Sequence, residues 1–147
     1  MYGKLEASGS ASIINVWSAG NDGNSNIPGA LGGSAIYDDD FKETTVIVVA
    51  TDTYGDHGGG SSDNRLATYS NKCGIASSIC IAAPGSTVWS TTNNGSYGYK
   101  SGTSMAAPLV AGGLAIIKQE FSSLTNAQVV DRLFATATDS GEYSQTT

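Results

Sequence analysis

"YKSGTSMAAPLVAGG", residues 99–113, sets a glycine-flanked hydroxyl directly against an apolar run. Ser104 lies between Gly102-Thr103 and Met105-Ala106-Ala107-Pro108, and the segment stays apolar as far as Ile117. The run predicts a helix over 104–120. Its apolar residues fall on every side, so this helix should pass through an interior rather than lie on a surface. Pro108 is expected in the first turn, where backbone N–H groups have no intrahelical partner to lose. Two roles compete for Ser104. It is the side-chain cap of the helix, or it is a nucleophile whose oxyanion product is met by the unpaired N–H at the helix start.

The segments upstream place this helix in a fold. "TTVIVVAT" (44–51) is continuous and β-branched, which predicts a strand covered on both faces, as in a parallel sheet. "ASIINVWSAGN" (11–21) reads as a shorter buried strand that feeds a Gly-Asn loop. "ICIAAPG" (79–85) and "TVWSTT" (87–92) read as short strands parted by Pro84-Gly85, with "NNGSYG" as a turn. The composition of "NDGNSNIPGALGGSAIYDDD" and "DTYGDHGGGSSDN" predicts loops. Near the end, Thr125 and Gln128 have capping-box spacing ahead of Val129, Val130, Leu133 and Phe134, which predicts a last, amphipathic helix. Buried strands alternating with loops and helices indicate a three-layer α/β domain. Only three or four strands are evident, too few for a complete sheet, so residues 1–147 are expected to form part of a domain.

Composition narrows the partners. With 147 residues the chain can bury one moderate core. The net charge is −6, and the 7 basic residues are scattered, which argues against nucleic acid or an anionic membrane as partner. The longest apolar run, Met105 to Ile117, has 13 residues and is too short to span a bilayer. "MYGKLEASGS" has no hydrophobic h-region, so no signal peptide is expected within the chain. Cys73 and Cys80 stand close together, and the single histidine cannot complete a metal site with them. A local disulfide in an oxidising compartment is the preferred reading, with two small buried thiols as the alternative.

A nucleophilic serine needs a second oxyanion donor. "SAGN" ends a strand and can hold the Asn21 amide at a fixed point, while Gly20 admits the close approach of a substrate backbone. Here the residues reach a resemblance. "GTSMAAP" (102–108) resembles the nucleophile motif of the subtilisin-like serine peptidases, and "WSAGNDG" (17–23) is similar to their oxyanion-asparagine segment. "VIVVATD", "ATYSNKCG" and "CIAAPG" follow in the family's order, and "SNKCG…CIAAPG" resembles its bacterial autotransporter branch.

The resemblance implies an α/β, parallel-sheet, subtilisin-like domain and a serine endopeptidase working through an acyl-enzyme on polypeptide substrates. No cofactor is required, although structural calcium is compatible with it. An extracellular or bacterial cell-surface location is implied as well. Ser104 would be the nucleophile and Asn21 the side-chain oxyanion donor. Ser18, Ala19 and Gly20 would wall the primary specificity pocket. Gly102 would turn the backbone into the nucleophile, and Thr103 beside it would belong to the substrate-binding residues. Leu109 departs from the pattern, since many relatives carry a histidine there that takes no part in the triad.

The family runs its triad in the order Asp, His, Ser. Only 20 residues precede Asn21, and they contain neither Asp nor His. The single histidine, His57, falls between Asn21 and Ser104, next to Asp56, and is expected to be a solvated loop residue. The chain therefore reads as the C-terminal part of a catalytic domain, inactive without its missing N-terminal half. Two other classes stay in view. "NDGNSN" and "YDDD" suit a secreted calcium-binding module, although their spacing matches no EF-hand loop. "HGGG" (57–60) imitates the oxyanion motif of lipases and esterases, whose histidine must follow the serine; none follows Ser104.

Overall fold

The computed structural model describes residues 13–23, 25–52 and 65–138. Along the chain come strand β1 (Asn15–Ser18), short helices α1 (Ala30–Gly33) and α2 (Asp39–Lys42), and the long strand β2 (Thr45–Asp52). After β3 (Arg65–Leu66) and β4 (Cys80–Pro84), a hairpin of β5 (Val88–Thr91) and β6 (Tyr97–Lys100) leads into helices α3 (Thr103–Glu120) and α4 (Asn126–Thr136). His57, Asp56 and the "HGGG" segment lie outside the described residues, as do the first twelve.

β2 is the axis of the sheet. It pairs in parallel with β1 (Asn15↔Thr45 to Ser18↔Val48) and with β4 (Ile47↔Cys80 to Thr51↔Pro84), and antiparallel with β3 at Thr51–Asp52. Every residue from Thr45 to Thr51 is buried, which explains the unbroken β-branched run: a strand covered on both faces has no side to keep polar. Alternation along the strand divides the core. Val46, Val48 and Ala50 pack against Ala106, Val110 and Leu114 of α3 and Val129 and Val130 of α4. Ile47 and Val49 face the other way, onto Ala35, Phe41, Ala76 and Ile79. Helices, sheet, and a layer of short helical turns make three layers.

α4 is opened by the expected box: the Thr125 N–H donates to Gln128 Oε1 at 2.9 Å, and the Gln128 N–H donates to Thr125 Oγ1 at 3.2 Å. Several expectations need correction. The segment expected as loop over residues 21–40 winds into helical turns from Ala30 to Tyr37 and into α2, which Asp38 caps by accepting from the Phe41 N–H at 3.1 Å. Tyr97 and Gly98, expected within the "NNGSYG" turn, belong instead to a strand, Tyr97–Lys100, paired against β5. Trp89, Tyr97 and Tyr99 cluster on one face of this hairpin, Trp89 tilted against Tyr99 with ring centroids 4.7 Å apart and stacked on Tyr97 at 6.3 Å. Cross-strand aromatic contacts of this kind compensate for the thin core of an isolated two-stranded ribbon.

α3 departs from its expectation in two respects. It begins at Thr103 rather than Ser104, so Pro108 is the sixth helical residue and lies past the first turn. Having no N–H, Pro108 leaves the carbonyl of Ser104 without its i+4 donor. The helix is also not buried all round. Thr103, Ala106, Val110 and Leu114 are enclosed, whereas Leu109, Ala111, Gly112, Ala115 and Ile116 are exposed. Burial follows from the elements that surround a helix, and the described residues cover only one flank of this one.

Candidate active site

Ser104 sits at the second position of α3 and is exposed. It is not the cap. The N-cap position belongs to Gly102, with φ 153° and ψ 159°, a conformation L side chains rarely adopt. Gly102 is held from behind, where its N–H donates to the Gly85 carbonyl at 2.8 Å. Glycine is needed at 85 too, since a Cβ there would lie 2.5 Å from Ala50 Cβ and 2.9 Å from the Gly102 carbonyl oxygen. The Pro84-Gly85 pair thus closes β4 and lets the start of α3 pass against the sheet.

Asn21 reaches this helix start from the end of β1, 82 residues earlier in the chain. Its Oδ1 accepts from the Thr103 N–H at 2.9 Å and from Thr103 Oγ1 at 3.0 Å. A backbone N–H can only donate, so the amide atom that faces it must be the oxygen. The Nδ2 group is thereby turned away from Thr103 and makes no hydrogen bond to a described residue. Thr103 Oγ1 also accepts from the Gly20 N–H at 3.2 Å, so one buried hydroxyl joins the loop to the helix. Thr103 was expected among the substrate-binding residues. The structure buries it completely, where it serves as the bracket for Asn21.

A cleft of about 360 Å³ lies beside the serine, lined by Val16, Trp17 and Ser18 of β1 and by Ser104, Ala107, Pro108 and Ala111 of α3. Of the three residues expected along a specificity wall, Ser18 lines this cleft. Ala19 is fully buried on the opposite face of the sheet, beside Phe41 and Ile47. Gly20 adopts φ 104° and touches Asn71 rather than the cleft. Cys73 and Cys80 are joined, with an S–S distance of 2.07 Å and Cα atoms 5.8 Å apart, at the far side of the Asn21 loop. Among the described residues, no three or more His, Cys, Asp or Glu side chains gather into a metal-ligating group.

Sequence reasoning passed over Asn71 and Gly85. Asn71 is buried against the Asn21 loop, and Gly85 meets Gly102. Their only local signals were a polar residue within "YSNKCG" and a Pro-Gly pair, neither of which names its distant partner.

What the arrangement can do is stabilise negative charge. An amide group with its oxygen pinned, and the Ser104 N–H in the first turn of α3, both stand next to an exposed hydroxyl. Comparison with known proteins points the same way. The model of the "Subtilase family" of peptidases matches residues 2–146. The chain is 37% identical over 129 residues to subtilisin NAT of Bacillus subtilis subsp. natto, covering 88% of this chain and 29% of that protein. It is 34% identical over 148 residues to an extracellular serine protease of Serratia marcescens, covering 86% of this chain and 13% of that one. Among solved structures, sphericase superposes with a TM-score of 0.70 at 32% identity, over 92% of this chain and 43% of its own. The chain thus spans less than half the length of each of these relatives.

Proposed function

The chain belongs to the subtilase family of serine peptidases, and from that membership we propose that it carries the nucleophile and oxyanion hole of a serine endopeptidase acting on polypeptides. Ser104 Oγ attacks the substrate carbonyl carbon and forms an ester as the peptide C–N bond breaks. The hydroxyl proton passes through a general base to the departing amine. The transient oxyanion takes hydrogen bonds from Asn21 Nδ2 and from the Ser104 N–H. The observation that carries this reading is the double hydrogen bond from Thr103 to Asn21 Oδ1, which turns the amide donor outward at the helix that bears Ser104.

The general base and its aspartate come from sequence N-terminal to this chain, in the family's Asp–His–Ser order. The surfaces to receive such a segment are those left open around the serine. The outer edge of β1 has no partner strand among the described residues. Two buried donors on β1, Asn15 Nδ2 and Trp17 Nε1, have no hydrogen-bond partner among them either. The adjoining flank of α3 exposes Leu109 and Ile116. By this reading the 147 residues alone have no peptidase activity. The Cys73–Cys80 bond supports an extracellular or bacterial cell-surface setting, because such bonds persist in oxidising compartments.

A fluorophosphonate probe tests the assignment. It should label the full-length protein at Ser104, and should label neither the Ser104→Ala variant nor the isolated 147-residue chain. Strong labelling of the isolated chain would show that a base lies within it. Labelling of the full-length protein at another residue would remove Ser104 from the nucleophile role.

A further inference from the structure

Asn21 stands on a loop that has little stiffness of its own. Gly20 and Gly23 flank it with φ of 104° and 72°, and Asn21 and Asp22 are both exposed. Thr103 fixes the amide oxygen, but the backbone that carries Asn21 must be fixed as well.

The Asn71 side chain, 1% exposed, holds that backbone on both sides of Asn21. Its Nδ2 donates to the Ala19 carbonyl at 3.1 Å and to Asp22 Oδ2 at 2.9 Å, and its Oδ1 accepts from the Asp22 N–H at 2.9 Å. The Asn71 N–H donates to the Gly20 carbonyl at 2.9 Å. Both amide hydrogens and the amide oxygen are therefore engaged with the loop, two residues before Asn21 and one after it. The fit is close: a Cβ at position 20 would lie 2.6 Å from Asn71 Nδ2.

Asn71 is itself well anchored. Ser70 Oγ accepts from the Ala50 N–H of β2 at 3.0 Å. Two residues on, Cys73 is bonded to Cys80, the first residue of β4. The segment also runs alongside the loop it holds, with the Gly23 N–H donating to Tyr69 and the Lys72 N–H to Ser25. A rigid path leads from the central strand through Ser70 and the disulfide to Asn71, and from there to Asn21.

We propose that Asn71 is a positioning residue for the oxyanion hole: it sets the backbone of the Asn21 loop so that Asn21 Nδ2 meets the developing oxyanion. The proposal rests on the reading of Ser104 as nucleophile and Asn21 as oxyanion donor. Asn71 touches no reacting atom, and its effect must pass through Asn21. That requirement separates it from a residue that merely supports the fold.

The test is a double-mutant cycle in the full-length enzyme, with kcat and KM measured on a peptide substrate for Asn21→Ala, Asn71→Ala and the pair. Asn71→Ala should lower kcat by roughly 10- to 10²-fold, as displacement of a catalytic group by about 1 Å does, while KM changes by less than about twofold. In the Asn21→Ala background, the same substitution should lower kcat by less than about twofold, because the donor it positions is already gone. Equal losses in both backgrounds, or an unchanged kcat for Asn71→Ala, would overturn the proposal while leaving Ser104 and Asn21 in place. An unchanged kcat for Asn21→Ala would instead overturn the reading of the site itself. If Asn71→Ala does not fold, Asp22→Ala takes its place. That change removes one of the three side-chain hydrogen bonds to the loop at an exposed position, and it should give a smaller loss, about threefold, that is likewise absent without Asn21.

Discussion

The two flanks of α3 have nearly the same composition and opposite fates. On the inner flank Ala106, Val110 and Leu114 pack onto β2 and α4 and are almost fully enclosed. On the outer flank Leu109 is 49% and Ile116 68% exposed. A window of sequence cannot separate them, because each flank is apolar enough to be core. The difference lies in what else is present: the inner flank has a sheet and a helix against it, whereas among the described residues the outer flank has only the edge of β1 and open cleft. The helix start stands at the border of the two, with Thr103 buried and Ser104 exposed.

If the inner flank is structural, the largest loss of stability should come from there. Leu114→Ala should cost about 2–5 kcal/mol in denaturant unfolding, from lost transfer energy plus the cavity left behind. The remaining folded enzyme should keep its kcat. A loss below about 1 kcal/mol would mean that this flank is not packed as described. At the border the effect should move from stability to rate. Asn21→Ala in the full-length enzyme should lower kcat by about 10²–10³ with KM and melting temperature nearly unchanged, a figure taken over from subtilisin's own oxyanion asparagine. A rise in KM with kcat intact would place Asn21 in ground-state binding and blur the border. The smallest effect belongs to the outer flank. Ile116→Ala should change the stability of this chain by no more than about 0.5 kcal/mol, as exposed substitutions do. In the full-length protein, where the proposed N-terminal segment covers that flank, the same change should cost about 2 kcal/mol or more. Equal small effects in both would leave the outer flank uncovered and count against such a segment.

Local features were legible in the sequence. The capping box of α4 spans four residues, and Thr125 and Gln128 bond each other as their spacing implies. β2 was legible because a strand covered on both faces must be apolar throughout. The joined Cys73 and Cys80 stand only seven positions apart. Features with a distant partner were not legible in this way. β6 has little apolar alternation of its own and exists through its pairing with β5. The helical turns over Ala30–Tyr37 were masked by glycine-rich composition, yet they close over Ile47 on the far face of the sheet. Of the site, Ser104 and Asn21 stood out through the wording of their segments. Asn71 did not, since a single asparagine in "YSNKCG" looks the same whether it faces water or clamps a loop.

By itself, then, the sequence determined the layered α/β class, the central strand, the two long helices and the two motif segments that carry Ser104 and Asn21. These depend on periodicity, β-branching and short motifs, which are properties of neighbouring residues. Only the tertiary structure decided that Thr103 is a buried bracket, that Gly102 caps the helix in place of Ser104, and that Asn71 grips the loop around Asn21. It also decided which flank of α3 is core. The physical reason is that hydrogen bonds spanning 49 and 82 residues, and the burial of one apolar face rather than another, arise when separate elements meet. No local pattern records where such elements will be.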